Sequence, residues 1–538
     1  MIYQVIPERA SGATVWDIDG NPYVDLAMGF GSLLFGHSPG FLIGELQDQI
    51  GRGVQLGLES RRAGQVAEII CELTGVDRVA FCNSGTEAVM TALRLARAAT
   101  GRSKIAMFTG SYHGTYDGVL VGPSKGPNGE MRAVSLAPGV PESLMKDVVL
   151  TEYCDPMAVS ILKAHSKELA AVLIEPKQSR RPDVQAEDFL RDLRCFTEDA
   201  KIPLIFDEVV TGFRMHPGGI QGLTGIRADI TTYGKSLGGG LPIGAIAGKS
   251  GYLDAIDGGM WAYGDESYPQ SRQTFFAGTF FQHPLVMTAA WEVLKYIREK
   301  GAIFYQELEQ RTSRLVDSLN TEMESLGAPV KVAHFKSLFD FMFPQPQKYG
   351  ELLFYHMLEK GVFTAETRVC FLSTAHTDDD ISHVVRATRQ SVEELQEGGF
   401  LLDAAFDVRG IPKPTSRYAA AKAGADYAVV KPVNANPGRE LGLSYTAPLT
   451  EAQKGLWILT RMGGEAAFAF NESIALRLAG PLHIESMRQA FQTVVDRHDS
   501  LRATFSDEGN ELSVHSSLSL PIPVVDLSAL RQNDLRAR

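Results

Sequence analysis

Apolar and polar positions along the chain change period several times, and each change marks an element. Residues Ala13–Leu26 alternate around Asp19-Gly20-Asn21, which predicts a hairpin closed by a tight turn. From Arg61 to about Gly75 the spacing becomes helical. Short runs then follow at Arg78–Cys82, Lys104–Phe108, Ala170–Ile174 and Pro203–Phe206, with a helical stretch at about Thr86–Thr100 between the first two. Because these runs are apolar throughout and do not alternate, they predict strands buried on both faces: an α/β fold with a parallel sheet between helices. An amphipathic stretch from Pro284 to about Leu326 reads as a long helix leading to a smaller α/β portion that ends near Leu395.

Beyond that point the character shifts. Residues Ala405–Gly442 carry Pro412, Pro414, Pro432 and Pro437 and an alanine-rich patch at Tyr418–Ala425, a linker composition. A new periodic segment opens at Thr450. The expected division is a large domain over residues 1–400, a linker over 401–443 and a further domain fragment over 444–538. A length of 538 residues agrees with more than one core.

Composition narrows the partners. The net charge is −12 and no lysine- or arginine-rich block stands out, which argues against nucleic acid and anionic membranes and leaves small molecules or proteins. Cys71, Cys82, Cys154, Cys195 and Cys370 lie scattered without Cys-x-x-Cys spacing, so neither a disulfide framework nor a zinc site is expected and a reducing, cytoplasmic setting fits. Neither an export signal nor a run long enough to span a bilayer is apparent.

The chemistry concentrates in a few segments. Thr231–Gly244 holds Lys235 in a glycine-dense stretch, where the backbone can approach a bulky ligand and a partly desolvated amine can attack an aldehyde. Leu204–Arg214 ends an apolar run on Asp207 and Glu208, at the edge where α/β sheets build sites. Asp207 could face a pyridine nitrogen and Val209 could pack on one ring face. Phe81–Met90 places Ser84, Gly85 and Thr86 at a helix start, where free N–H groups favour a phosphate. Gly110–Tyr116 offers Tyr112 as an aromatic platform for the opposite ring face, and Thr274–Phe281 places the hydroxyl of Thr279 in an apolar run. Singly, each has a commoner use: a solvated loop lysine, a strand-end turn carboxylate, an N-cap, a turn tyrosine, a buried strand threonine.

Together, in this order and spacing, these segments resemble the class III aminotransferases of pyridoxal-phosphate (PLP) fold type I, most closely the glutamate-1-semialdehyde aminomutase branch, over roughly residues 1–400. The resemblance implies that Lys235 is the Schiff-base lysine, Asp207 binds the pyridine nitrogen and Tyr112 stacks on the ring. Ser84, Gly85 and Thr86 would bind the phosphate, which Thr279 would reach from a neighbouring subunit, so a homodimer is implied. His113, Glu175 and Glu208 occupy family positions near the cofactor. Arg214 and Arg368 could receive the donor carboxylate, although each is more commonly a salt-bridged surface group.

A second resemblance follows. Thr446–Trp457 and Val495–Phe505 look like the first two motifs of peptide-synthetase condensation domains, in which Arg497 and His498 would hold the fold; the catalytic His-His-x-x-x-Asp-Gly motif is absent, so this fragment is expected to be inactive. The combination implies an excised module of a polyketide/peptide megasynthase. Its amino donor would be glutamine or glutamate, and its acceptor a β-ketoacyl thioester on an acyl carrier protein. The alternatives are a free-standing aminomutase and a non-catalytic docking module.

Overall fold

The computed structural model describes residues 5–57, 60–126, 130–344, 347, 349–364, 369–401, 443–449, 483–506 and 509–522. The chain divides into two compact units, Met1–Ile411 and Pro412–Arg538. Among the described residues no helix is long and apolar enough to cross a membrane.

A seven-stranded sheet organises the first unit, in the spatial order Arg78–Cys82, Gly244–Gly248, Ile230–Gly234, Leu204–Asp207, Leu169–Ile174, Lys104–Phe108, Val148–Thr151. Every residue of Leu169–Ile174 and Leu204–Asp207 is buried, as their unbroken apolar runs predict. Alternate side chains serve opposite faces. Ile105, Ala171, Leu173 and Ile205 pack with the helix Gly85–Thr100, whereas Ala106, Phe108, Val172, Leu204 and Phe206 pack with the helix Glu187–Asp199. Each large apolar side chain buried in this way contributes about 1.5–3 kcal/mol.

The sheet is mostly parallel, with one strand reversed. Gly244–Gly248 runs antiparallel to both neighbours. Its cause is local: the connection from Lys235 to Ile243 is too short for the crossover that a parallel neighbour requires, so the chain doubles back.

The N-terminal hairpin forms as predicted, Thr14–Asp17 against Pro22–Asp25. Asp17 fastens its turn by accepting the Asn21 and Asp19 N–H groups at 2.8 and 3.0 Å. The long helix spans Pro284–Ser325 and kinks at Gly301, whose φ of 59° lies outside helical space. It leads to a small antiparallel sheet of Lys331–Phe335, Leu338–Met342 and Val369–Phe371, covered by the helix Asp378–Glu397.

In the second unit Leu443–Pro448, Glu511–His515 and Ala503–Phe505 form an antiparallel sheet beside the helix Ile484–Arg497. Most of the proline-rich linker and of the Thr446–Trp457 motif lies outside the described residues. Arg497 is exposed and His498 half-buried, so neither is the anchor expected of them. Arg502 takes that role: it donates to the carbonyls of His515 at 3.0 Å and Val495 at 2.6 Å and to Asp499 at 2.6 Å.

Gly244 is required by its surroundings. A Cβ there would lie 2.1 Å from the carbonyl oxygen of Ser84, a backbone atom that cannot rotate away. Gly244→Ala should therefore cost at least about 1–3 kcal/mol, the range of overpacked sites, and thermal unfolding should show the lowered midpoint.

Candidate active site

Five strands end at one edge of the sheet, and each delivers a polar group there. The strand Arg78–Cys82 leads into Asn83 and Ser84, and Lys104–Phe108 runs on to Tyr112 and His113. Leu169–Ile174 is followed by Glu175, Leu204–Asp207 closes on its own carboxylate, and Ile230–Gly234 is followed directly by Lys235. A parallel sheet concentrates functional groups at this edge because its strands all point their carboxyl ends the same way. The result is a cavity of about 420 Å³ whose lining includes Ser84, Gly85, Thr86, Tyr112, His113, Glu175, Asp207, Val209 and Lys235.

Asp207 is held at the floor. Its Oδ2 pairs with His113 Nδ1 at 2.7 Å, while Oδ1 accepts the Thr232 hydroxyl at 3.0 Å and the Val209 N–H at 3.2 Å. The other ring nitrogen of His113, Nε2, is buried and has no hydrogen-bond partner among the described residues. Glu175 stands beside this pair, fully buried, and burial raises its carboxyl above the ordinary range. Its two oxygens accept the N–H groups of Tyr112 at 2.8 Å and Ser179 at 3.2 Å, fixing the loops that carry those residues. The Tyr112 ring is half exposed.

Lys235 opens a 3-10 turn with φ of 44°, in the left-handed region that a lysine seldom adopts. Burial pushes its amine below the ordinary lysine value, against the pull of Glu175 and Asp207 and with help from the Arg214 charge. At the opposite wall Ser84 caps the helix Gly85–Thr100, its hydroxyl accepting the Glu87 N–H at 3.2 Å. The first N–H groups of that helix, on Gly85 and Thr86, have no intrahelical acceptor and face the positive end of the helix dipole. A Cβ on Gly85 would sit 2.8 Å from a Val209 methyl, so a larger residue here would require Val209 to shift.

Thr279, expected at a neighbouring subunit's phosphate, is exposed and outside this chain's own cavity, and its carbonyl accepts from Gln55 at 3.1 Å. Two other expectations need correction. Glu208 lies outside the cavity and points away: fully buried, it accepts from Thr211 at 2.9 Å and the Ile220 N–H at 2.7 Å, and burial lifts its carboxyl to about 7. Arg214 is neither at the surface nor free for a substrate. It is wholly buried and donates to the Gly31 carbonyl at 2.9 and 3.2 Å, the Ser337 hydroxyl at 3.2 Å and the Leu372 carbonyl at 3.2 Å. Arg368 falls outside the described residues.

The cavity also contains groups that the sequence reading missed: Ser32, Asn83, Val210 and Gly240–Ile243. Asn83, Val210 and Gly240–Ile243 lie within segments already singled out. Ser32 could have been suspected only from the Gly29-Phe30-Gly31 run, where Met28, Gly29, Phe30 and Gly31 all take positive φ and form a tight bend.

A desolvated amine, an inward carboxylate braced by an imidazole, a flat apolar wall and a helix start with free N–H groups fit PLP part for part. The class defined by this fold and site is the PLP-dependent transaminases. Residues 1–386 match the family "Aminotransferase class-III" and residues 444–537 match "Condensation domain". The chain belongs to the class III aminotransferases. A glutamate-1-semialdehyde 2,1-aminomutase of Clostridium novyi (strain NT) is 36% identical over 407 residues, covering 72% of this chain and 90% of the relative. Among solved structures, an omega-transaminase from Sphaerobacter thermophilus superposes with a TM-score of 0.68 at 28% identity, covering 73% of this chain and 92% of that one. A glutamate-1-semialdehyde aminomutase from Pseudomonas aeruginosa PAO1 gives a TM-score of 0.63 at 25% identity, over 73% and 88%. PLP is therefore the cofactor, and the protein is an aminotransferase by family.

Two outcomes follow. Arg214→Met leaves the oxygens of Gly31, Ser337 and Leu372 short of donors and should cost about 3 kcal/mol in urea unfolding, with Arg214→Lys recovering part of it. For Lys235, unfolding restores the ordinary proton affinity, so its burial penalty is present at neutral pH and fades as pH rises towards 10.5. Cofactor-free Lys235→Met should accordingly resist urea better than cofactor-free wild type at neutral pH, and the gap should close as that value is approached.

Proposed function

We propose that this chain moves an amino group from glutamate or glutamine to a β-ketoacyl thioester carried on an acyl carrier protein, within a polyketide/peptide megasynthase. The observation that carries this reading is the presence, in one chain, of an aminotransferase match over residues 1–386 and a condensation-domain match over residues 444–537. A condensation domain consumes an acyl thioester and an amine, so an aminotransferase placed before it is suited to supplying the amine. The exchange balances: donor amino acid and β-ketoacyl thioester give a 2-oxo acid and a β-aminoacyl thioester. Tethering on a carrier raises the local concentration of the acceptor, so the pocket needs little affinity of its own for the acyl chain.

Bound PLP would supply a protonated ring that accepts the electron pair left when the substrate C–H bond breaks, and would carry the amino group between the two substrates. In this reading Lys235 anchors the cofactor and its Nζ takes and returns the proton at the reacting carbon. Asp207, oriented by His113, keeps the ring nitrogen protonated. Val209 and Tyr112 flank the ring, Glu175 holds Tyr112 in place, and Ser84, Gly85 and Thr86 seat the phosphate. Thr279, exposed on this chain, completes that seat from the second subunit of a homodimer.

A second reading, an aminomutase that exchanges amino and carbonyl groups within one small molecule, is favoured by the names of the sequence relatives, at 33–36% identity. One experiment separates the two. With glutamate or glutamine labelled with ¹⁵N at the amino group and a β-ketoacyl carrier protein, the first reading predicts label in the carrier-bound acyl group by mass spectrometry, and none with Lys235→Ala. Turnover of glutamate-1-semialdehyde without a carrier, and no label on the carrier, would instead support the aminomutase.

A further inference from the structure

The lining of the active-site cavity contains two carboxylates, Glu175 and Asp207, yet among the described residues, which do not include Arg368, Lys235 is its only lysine or arginine. An amino acid donor brings a carboxylate of its own. That group sits one bond from the carbon whose C–H bond must break, so it comes to rest close to the carboxylates that line the cavity. Without a matching cation it would be repelled. Lys235 is committed to the cofactor in the reading above, and Arg214 is held by oxygens of Gly31, Ser337 and Leu372.

Arg180 is placed to answer. Its guanidinium carbon lies 5.9 Å from the centroid of the Tyr112 ring, and Tyr112 is part of the cavity wall. The side chain is exposed, and among the described residues it meets no carboxylate. Its neighbour Arg181 differs: its Nε and a terminal nitrogen are both taken up by Asp183 at 3.0 Å. The segment before Arg180 is fixed from below. Gln178 donates to the Thr109 carbonyl at 2.8 Å and the Ser111 hydroxyl at 2.9 Å, and the Ser179 N–H is held by Glu175 at 3.2 Å. A free guanidinium thus projects from a rigid base over the wall of the site, with a planar fork suited to a carboxylate.

We propose that Arg180 is a specificity-determining residue that receives the α-carboxylate of the amino donor at the mouth of the cavity; this rests on the transaminase reading above. The phosphodiester of a carrier-protein arm is another anion that approaches the same mouth. It is separated from the reacting carbon by the whole pantetheine arm, however, and so lies farther out than a cation placed over Tyr112.

The test uses the full-length, PLP-loaded chain as wild type, Arg180→Ala and Arg180→Lys. Cofactor absorbance is followed as L-glutamate, L-glutamine or the carboxylate-free amine benzylamine is titrated in, and turnover is compared with a β-ketoacyl pantetheine thioester and with the carrier-bound acceptor. The expected result is a rise of about tenfold or more in the half-saturating amino acid concentration for Arg180→Ala, the scale of one charge-assisted hydrogen bond. Arg180→Lys should restore part of this, and benzylamine should respond alike in all three proteins. Unchanged amino acid saturation in Arg180→Ala, an equal loss with benzylamine, or a defect confined to the carrier-bound acceptor would each overturn the assignment. A wild-type protein that responds to no amino donor would overturn the transaminase reading and this inference together, whereas a responsive wild type matched by Arg180→Ala overturns the role of Arg180 alone.

Discussion

One carbonyl oxygen, that of Gly31, joins the parts of the chain that make the site. It accepts two N–H groups of Arg214 at 2.9 and 3.2 Å and the hydroxyl of Ser236 at 3.1 Å. Arg214 lies on the segment that begins at Asp207, Ser236 follows Lys235, and Ser32, next to Gly31, lines the cavity. The same guanidinium reaches Ser337 and Leu372 in the smaller α/β portion. The bend at Gly31, the lysine turn, the carboxylate strand and the small sheet are therefore set relative to one another by a single buried cation. It is held by oxygen dipoles and by the face of Phe371, 5.1 Å away, and among the described residues no carboxylate neutralises it. That uncompensated charge also works against protonation of Lys235, in the direction its chemistry requires.

How the site was legible in the sequence follows from where each group sits. Asp207 and Lys235 were readable because each lies at the end of an apolar run, and parallel strands collect such ends at one edge. Ser84, Gly85 and Thr86 were readable because a helix start announces itself by its cap. Ser32 was not: it reaches the cavity through a bend held by Arg214, a residue distant in sequence, and no local pattern encodes that contact. Arg214 was misjudged for the same reason, since arginine is almost always at the surface and only a set of correctly placed oxygens makes its burial tolerable.

The fold shows the same division. Runs of apolar residues identified the buried strands and the helix Pro284–Ser325, but direction is a property of pairing, and the reversal at Gly244–Gly248 followed from a connection too short to cross over. In the second unit the motif Val495–Phe505 was recognised while its anchor was misassigned from Arg502 to Arg497 and His498. The helix Ile484–Arg497 buries Val495, whose carbonyl is taken by Arg502, and leaves Arg497 exposed.

The role proposed for this site requires a covalent bond between the Lys235 amine and the aldehyde of PLP. Borohydride reduction of the holo-protein, proteolysis and peptide mass spectrometry would locate that bond directly. The result expected is a pyridoxyl group on the peptide containing Lys235; the group on another lysine, or on none, would contradict it.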